Sequence, residues 1–371
     1  MNTRALKAAA CCAGLCLAVG TMSWAKAAEV PPLQNRSIAF VMTYRAWAVQ
    51  QTPEKSECPN GLNDGNREQF KIQFPDDGSK RTEMETRLRR EGDQWFPGAS
   101  SDGFVFHEAG GKISKGLNLD GRVDADDFTS PDGVKGVDNQ LHRAIGCIAN
   151  YRAPDGSFYM FELQDLRGLN FNRTLIELTD VDDLVNDPDV TLKTYRGLDS
   201  LLNDASGAIF PGGTQRVDGR FAKDFEQTFR GKIVDGVLTT EAKDLVLPWS
   251  GVFDTNSIQV LRGAKFELRV GQKEAQGVIG AYVDIDAFRT HLNTTWSTHH
   301  QSYGQTSSPS LSRAIRRLAD GVPDAKTGTM TGISAAIDVQ FAQVYLVHPP
   351  KRVARGDDRD VPGAEIPALG R

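Results

Sequence analysis

Six aspartates stand between Gly116 and Asn139, at Asp120, Asp124, Asp126, Asp127, Asp132 and Asp138, in a stretch whose only basic residues are Arg122 and Lys135. So dense an acidic segment repels itself unless a cation sits in it. Hard oxygen ligands at alternate positions around a sharp glycine turn are what Ca²⁺ requires. The alternative for the same residues is a surface turn whose Asp and Asn side chains cap backbone amides without any metal.

Taken position by position, residues 116–127 resemble an EF-hand or dockerin-type calcium loop. Asn118 falls at the third position, Asp120 at the fifth, Gly121 at the sixth and Asp124 at the ninth, and Arg122 offers its backbone carbonyl. Gly116 stands where the first carboxylate belongs, and Asp127 where a bidentate Glu is usual. A shorter Asp reaches less far, so the resemblance implies weak binding, on the order of 10⁻⁴ to 10⁻³ M. Thr129-Ser130-Pro131 argues against a long exiting helix, because the residue before a proline disfavours the helical region. Asp132 and Asp138 are the carboxylates that a returning chain would bring to the vacant first position. The expected calcium ligands are therefore Asn118, Asp120, Arg122, Asp124, Asp127, Asp132 and Asp138.

Other chemistry is sparse. His291, His299 and His300 cluster around Trp296. On one continuous helix His291 and His299 would lie about 12 Å apart, too far to share an ion. They read as packed histidines unless the chain reverses near Ser297, which would let two of them meet zinc or copper. Trp95, Trp249 and Trp296 fall in or beside expected loops, where an aromatic either stacks on a ligand or folds back over the core. The sequence holds no G-x-S-x-G elbow, P-loop, G-x-G-x-x-G or H-E-x-x-H. A carboxylate pair for glycoside hydrolysis stays open, since separation in space is not readable from sequence.

The elements that must position these residues belong to an exported chain. Residues 1–27 carry a basic start (Arg4, Lys7), an apolar run and Ala25-Lys26-Ala27, the pattern of a secretory signal peptide. The expected location is periplasmic or extracellular. Cleavage would remove three basic residues and no acidic ones, taking 43 Lys+Arg to 40 against 48 Asp+Glu. That balance disfavours nucleic acid and anionic membrane surfaces as partners. Past residue 27 only Cys58 and Cys147 remain, and in an oxidising compartment they are expected to form one disulfide.

The apolar pattern is mostly that of strands. Ser37–Val49 reads as a central strand buried on both sides. Short strands are expected at Gly103–Phe106, Phe158–Leu163, Thr174–Leu178, Val190–Tyr195, Phe229–Thr240, Asp244–Leu247, Ile258–Leu261, Lys265–Val270 and Gly277–Ile285, with a last long one at Ala335–Val347. Asp235-Gly236 is the signal of a tight hairpin, and Phe266, Leu268 and Val270 should share one buried face. Helices are expected at Asp286–Thr295 and Leu311–Ala319, the second capped by Ser308, and Ser79–Arg90 is at best an exposed helix. The fold class is mainly β: an antiparallel β-sandwich or barrel with a few added helices. The expected divisions are a signal peptide (1–27), an N-terminal region with the acidic segment (28–157), a β-sandwich domain (158–348) and a disordered tail (349–371).

Phrases such as Gly136-Val137-Asp138-Asn139-Gln140-Leu141 make the chain look like uncharacterised secreted bacterial proteins, a resemblance that carries no activity. The first functional expectation is a secreted, calcium-stabilised module binding an extracellular or envelope ligand. The alternatives are a periplasmic hydrolase with structural calcium and loop-borne carboxylates, and a His-based periplasmic metal-handling protein.

Overall fold

A computed structural model describes residues 33–49, 54–63, 88–91, 94–97, 106–152, 156–205, 207, 209–250, 257–291 and 308–350. The strands are β1 (Ile38–Trp47), β2 (Leu88–Glu91), β3 (Gln94–Pro97), β4 (Phe128–Thr129), β5 (Lys135–Val137), β6 (Thr174–Thr179), β7 (Asp187–Arg196), β8 (Gly213–Arg216), β9 (Thr228–Val234), β10 (Val237–Thr240), β11 (Lys243–Pro248), β12 (Ile258–Val270), β13 (Glu274–Asp284), β14 (Gly321–Pro323) and β15 (Met330–Val347). The helices are α1 (Glu54–Glu57), α2 (Gln140–Ile145), α3 (Ser157–Gly168), α4 (Ala222–Phe225), α5 (Ile285–His291) and α6 (Ser308–Arg317).

β1 pairs with β6 on one side and with β15 on the other. Followed round, β6, β7, β9, β10, β12, β13 and β15 lead back to β1, so eight antiparallel strands close a barrel. β11 joins β12 outside the ring, and β14 and β8 join β15, β8 in parallel. The mainly β class is therefore present, in the barrel form of the expected pair of architectures. β1, which precedes the expected division at residue 157, is hydrogen-bonded on both sides to strands that follow it.

Alternation fills the lumen. Phe266, Leu268 and Val270 on β12 are buried while Glu267 and Arg269 between them are exposed. With Phe40, Met42, Leu192, Phe229, Ile233, Leu238, Ile279, Ile337 and Phe341 they form one cluster, and Phe229 meets Phe266 edge-on at 5.1 Å. Each such side chain contributes about 1.5–3 kcal/mol on leaving water. An eight-stranded barrel is just wide enough for side chains to fill it. The β9–β10 hairpin turns through Asp235 and Gly236, both at positive φ (50° and 76°), as a type I′ turn demands.

Several expectations change. Phe158–Leu163 is not a strand but part of α3, whose Glu162, Asp165 and Leu166 are buried at helical spacing. The aromatic composition of that run suggests β, whereas its tertiary role is to close one end of the barrel. Ile258–Leu261 and Lys265–Val270 are one strand, its pairing to β13 shifted around Gly263, where φ is 58°. Of the segment Ser79–Arg90, the described part lies in the strand β2. Ser308 is already inside α6 rather than capping it, and α5 ends at His291. The expected signal segment, residues 103–105, Trp296, His299, His300 and the tail beyond 350 lie outside the described residues, as do the side chains of Trp95 and His291.

A register shift between Met42 and Tyr44 lets β1 carry Arg45 and Trp47 opposite Val339 and Ile337, on the lumen side. Arg45 is fully buried. Its Nε donates to Glu162 Oε1 of α3 at 2.5 Å, its Nη1 to the Pro248 carbonyl, and its guanidinium lies 4.1 Å from the Trp249 ring. Trp249 donates from Nε1 to Glu162 Oε2 at 2.9 Å and stacks on Trp47 at 4.9 Å. Burial lowers the Arg45 pKa, and Glu162 opposes that shift. Removing one partner of so enclosed a pair strands the other, so Glu162→Ala is expected to cost about 3–5 kcal/mol, read by urea unfolding at neutral pH.

Candidate functional site

The acidic segment lies on the outside of the barrel, over β12, β13 and β15. Leu117 sits on Gly280, where any Cβ would approach within 3.1 Å of its side chain. Lys265, opposite Gly280 in register, donates from Nζ to the carbonyls of Asn118 and Leu119 at 3.0 and 2.9 Å. Asn139 fixes the far end of the segment. Its Nδ2 lies 3.0 Å from the Ala48 carbonyl, 2.9 Å from Ser114 Oγ and 3.0 Å from the Lys115 carbonyl, and its Oδ1 accepts from His142 N of α2. The Cys58–Cys147 disulfide, expected from the sequence, spans 89 residues and holds the chain just after α2. Beside it Glu57 Oε1 and His142 Nε2 meet at 2.7 Å, both buried.

Of the expected calcium ligands, Asp120 and Asp124 face one positive charge, the exposed Arg122 guanidinium. Its Nη2 lies 2.7 Å from Asp120 Oδ2 and 3.4 Å from Asp124 Oδ2. Asn118 is engaged within the loop, accepting from Gly121 N at 2.6 Å and donating to the Arg122 carbonyl at 2.6 Å. Asp127 accepts from Asp124 N at 2.5 Å, and Asp132 accepts from the Ser130 hydroxyl. Asp138 turns inward and accepts from Leu119 N at 2.6 Å. Among the described residues no three His, Cys, Asp or Glu side chains converge on one point. The all-oxygen donors around Asp120 and Asp124 fit a hard cation. Asn118 and the Arg122 carbonyl are held by each other, and Asp132 lies with Ser130.

The electrostatics beneath the loop are strained. Burial pushes the Asp138 carboxyl up to about 6, and Asp120, Asp127 and Asp320 add to that shift against the Leu119 amide. Burial likewise pushes Asp320 up to about 6, with Asp126 adding, although Ser334 donates to it from N at 2.7 Å and from Oγ at 2.6 Å. Asp120 instead sits below its ordinary value, held there first by the Arg122 backbone N–H. Asp320 escaped the sequence reading because it follows α6 in the chain; Ser334 of β15 links it to the Gln140 backbone N–H just past the segment.

A second constellation was invisible in sequence. Glu177 on β6 accepts from the Tyr195 hydroxyl at 3.0 Å and from Ser37 Oγ at 3.2 Å, and lies 3.3 Å from His348 Nε2, 171 residues away. Glu177, Tyr195 and His348 border a cleft of about 450 Å³ that also receives Lys193 and Glu226. Burial raises the Tyr195 pKa first, with Glu177 adding, so the phenol stays protonated at neutral pH. Trp249 takes the second of its two expected places, folded back into the core.

A carboxyl whose folded pKa exceeds its unfolded value binds more protons when folded, so stability falls as pH rises through the interval between the two. For Asp138 that interval runs from the ordinary carboxylate value up to about 6. Asp138→Asn keeps an acceptor for Leu119 and removes the charge. In chelator, the variant is expected to melt above the parent at about pH 8, the gap closing near about pH 4, by scanning calorimetry. Comparison of the chain with protein-family models, curated proteins and solved structures returns no match.

Proposed function

We propose that this protein is an exported, calcium-stabilised barrel that binds an extracellular or envelope ligand on its outer surface. The observation that carries the calcium reading is the pairing of Asp120 and Asp124 on one exposed guanidinium. An exposed ion pair contributes roughly 0–1 kcal/mol, so a divalent cation displaces Arg122 at little cost. Asp138 and Asp127 add negative potential without a full positive counterpart. The apolar side chains that fill the lumen support a ligand taken on the outside. Among the described residues no helix is long and apolar enough to cross a membrane.

A second reading, a hydrolase, is favoured by the Glu177–His348 pair on its cleft, since a carboxylate that orients an imidazole is a common acid–base arrangement. It predicts ester or glycoside hydrolysis that is lost in His348→Ala. Turnover unchanged in that variant would remove it.

Calorimetric titration with Ca²⁺ tests the first reading. Binding heat is expected with a Kd on the order of 10⁻⁴ to 10⁻³ M. Asp120→Asn should weaken binding at least tenfold, and Arg122→Ala should tighten it by removing the competing charge. Affinity should decline below about pH 6, as Asp138 takes its proton. No heat and no rise in melting temperature with Ca²⁺ would refute the proposal.

A further inference from the structure

The register of the barrel sets four polar side chains in one line across its outer face. Arg269 on β12 pairs with Gln276 on β13, Gln276 with Gln340 on β15, and Gln340 with Tyr44 on β1. Residues directly opposite one another point to the same side, and the neighbours Val270, Ala275 and Phe341 fill the lumen. The line therefore lies outside and spans three inter-strand gaps, about 14 Å. In the next row toward the acidic loop, Val278 stands opposite Asp338, which Lys115 engages at 3.0 Å. Together these residues line an open groove of about 440 Å³, and Lys115 immediately precedes the acidic segment.

We propose that this groove binds a neutral oligosaccharide, which extends the reading of an outward-facing binding module by naming its ligand class. Gln276 and Gln340 are exposed, and neither side-chain amide has a hydrogen-bond partner among the described residues. Each offers an acceptor oxygen and two N–H donors, a match for vicinal hydroxyls. Tyr44 offers an aromatic surface for the C–H face of a sugar ring. Arg269 gives one N–H to the Asp235 carbonyl at 3.4 Å and retains further donors.

The same geometry disfavours other occupants. An extended peptide binds by adding to a free strand edge, and β12, β13 and β15, which carry Arg269, Gln276 and Gln340, are each paired on both sides here. A polyanion meets two cations, one of them already neutralised by Asp338. A lipid chain finds little apolar floor, since the side chain of Val339 faces the lumen and only Val278 and the Tyr44 ring are outside.

The test is calorimetric titration of the whole mature protein with cellohexaose, xylohexaose, chitohexaose and maltohexaose, and with a sulfated oligosaccharide, with and without Ca²⁺. At least one neutral hexaose is expected to bind. Gln276→Ala and Gln340→Ala should each weaken it about tenfold, the loss of one hydrogen bond. Both variants should keep the parental melting temperature and calcium titration. The inference is overturned if no neutral hexaose binds, if both variants bind as the parent does, or if only the sulfated ligand binds. Calcium heat without sugar binding would sink this inference alone, and sugar binding without calcium heat would sink only the calcium reading.

Discussion

Closure of the ring by β1 is the constraint on which the rest of the molecule depends. A sheet that ended at β6 and β15 would present two rows of unpaired backbone groups, and the apolar faces of both strands would be open to water. β1 pairs with both and removes those edges. Its even-numbered residues Ile38, Phe40 and Met42 complete the lumen, while Ala39 and Val41 pack outward against Leu175, Tyr195, Val217 and Val344. This two-sided burial is why the strand is almost continuously apolar.

The register shift after Met42 changes what the end of β1 can do. It turns Arg45 inward, where a cation has to be matched at once, and α3 supplies Glu162. Trp249 then serves both partners, donating to the carboxylate and lying under the guanidinium. A buried pair of this kind does not by itself increase stability over a well-packed apolar core. It does fix which helix closes that end of the barrel, because an apolar helix face in the same place would leave Arg45 unpaired.

Apolar side chains fill the lumen, and the acidic segment lies on the outer surface. There the protein's own cations organise the acidic segment: Lys265 holds its backbone carbonyls and Arg122 bridges two of its carboxylates. Burial leaves Asp138 and Asp320 more easily protonated than ordinary carboxyls. The loop, the Lys115–Asp338 bridge and the polar line through Gln276 and Gln340 occupy successive rows of the same sheet face.

Local features were legible because local physics sets them. The Asp235-Gly236 turn, the alternation of Phe266, Leu268 and Val270, and the long final strand each follow from steric and burial preferences acting over a few residues. The cysteine pairing followed from arithmetic, since only two cysteines remain after residue 27. The crowd of aspartates announced itself as an electrostatic problem. Only the tertiary structure decided how that problem is met, because Lys265 and Asp320 lie far along the chain from Asp120 and Asp138. Closure of the barrel, conversion of Phe158–Leu163 into a capping helix, and the meeting of Glu177 with His348 were equally hidden. Each depends on which strands pair and in what register, and pairing energies between distant segments leave no periodic trace in the order of residues.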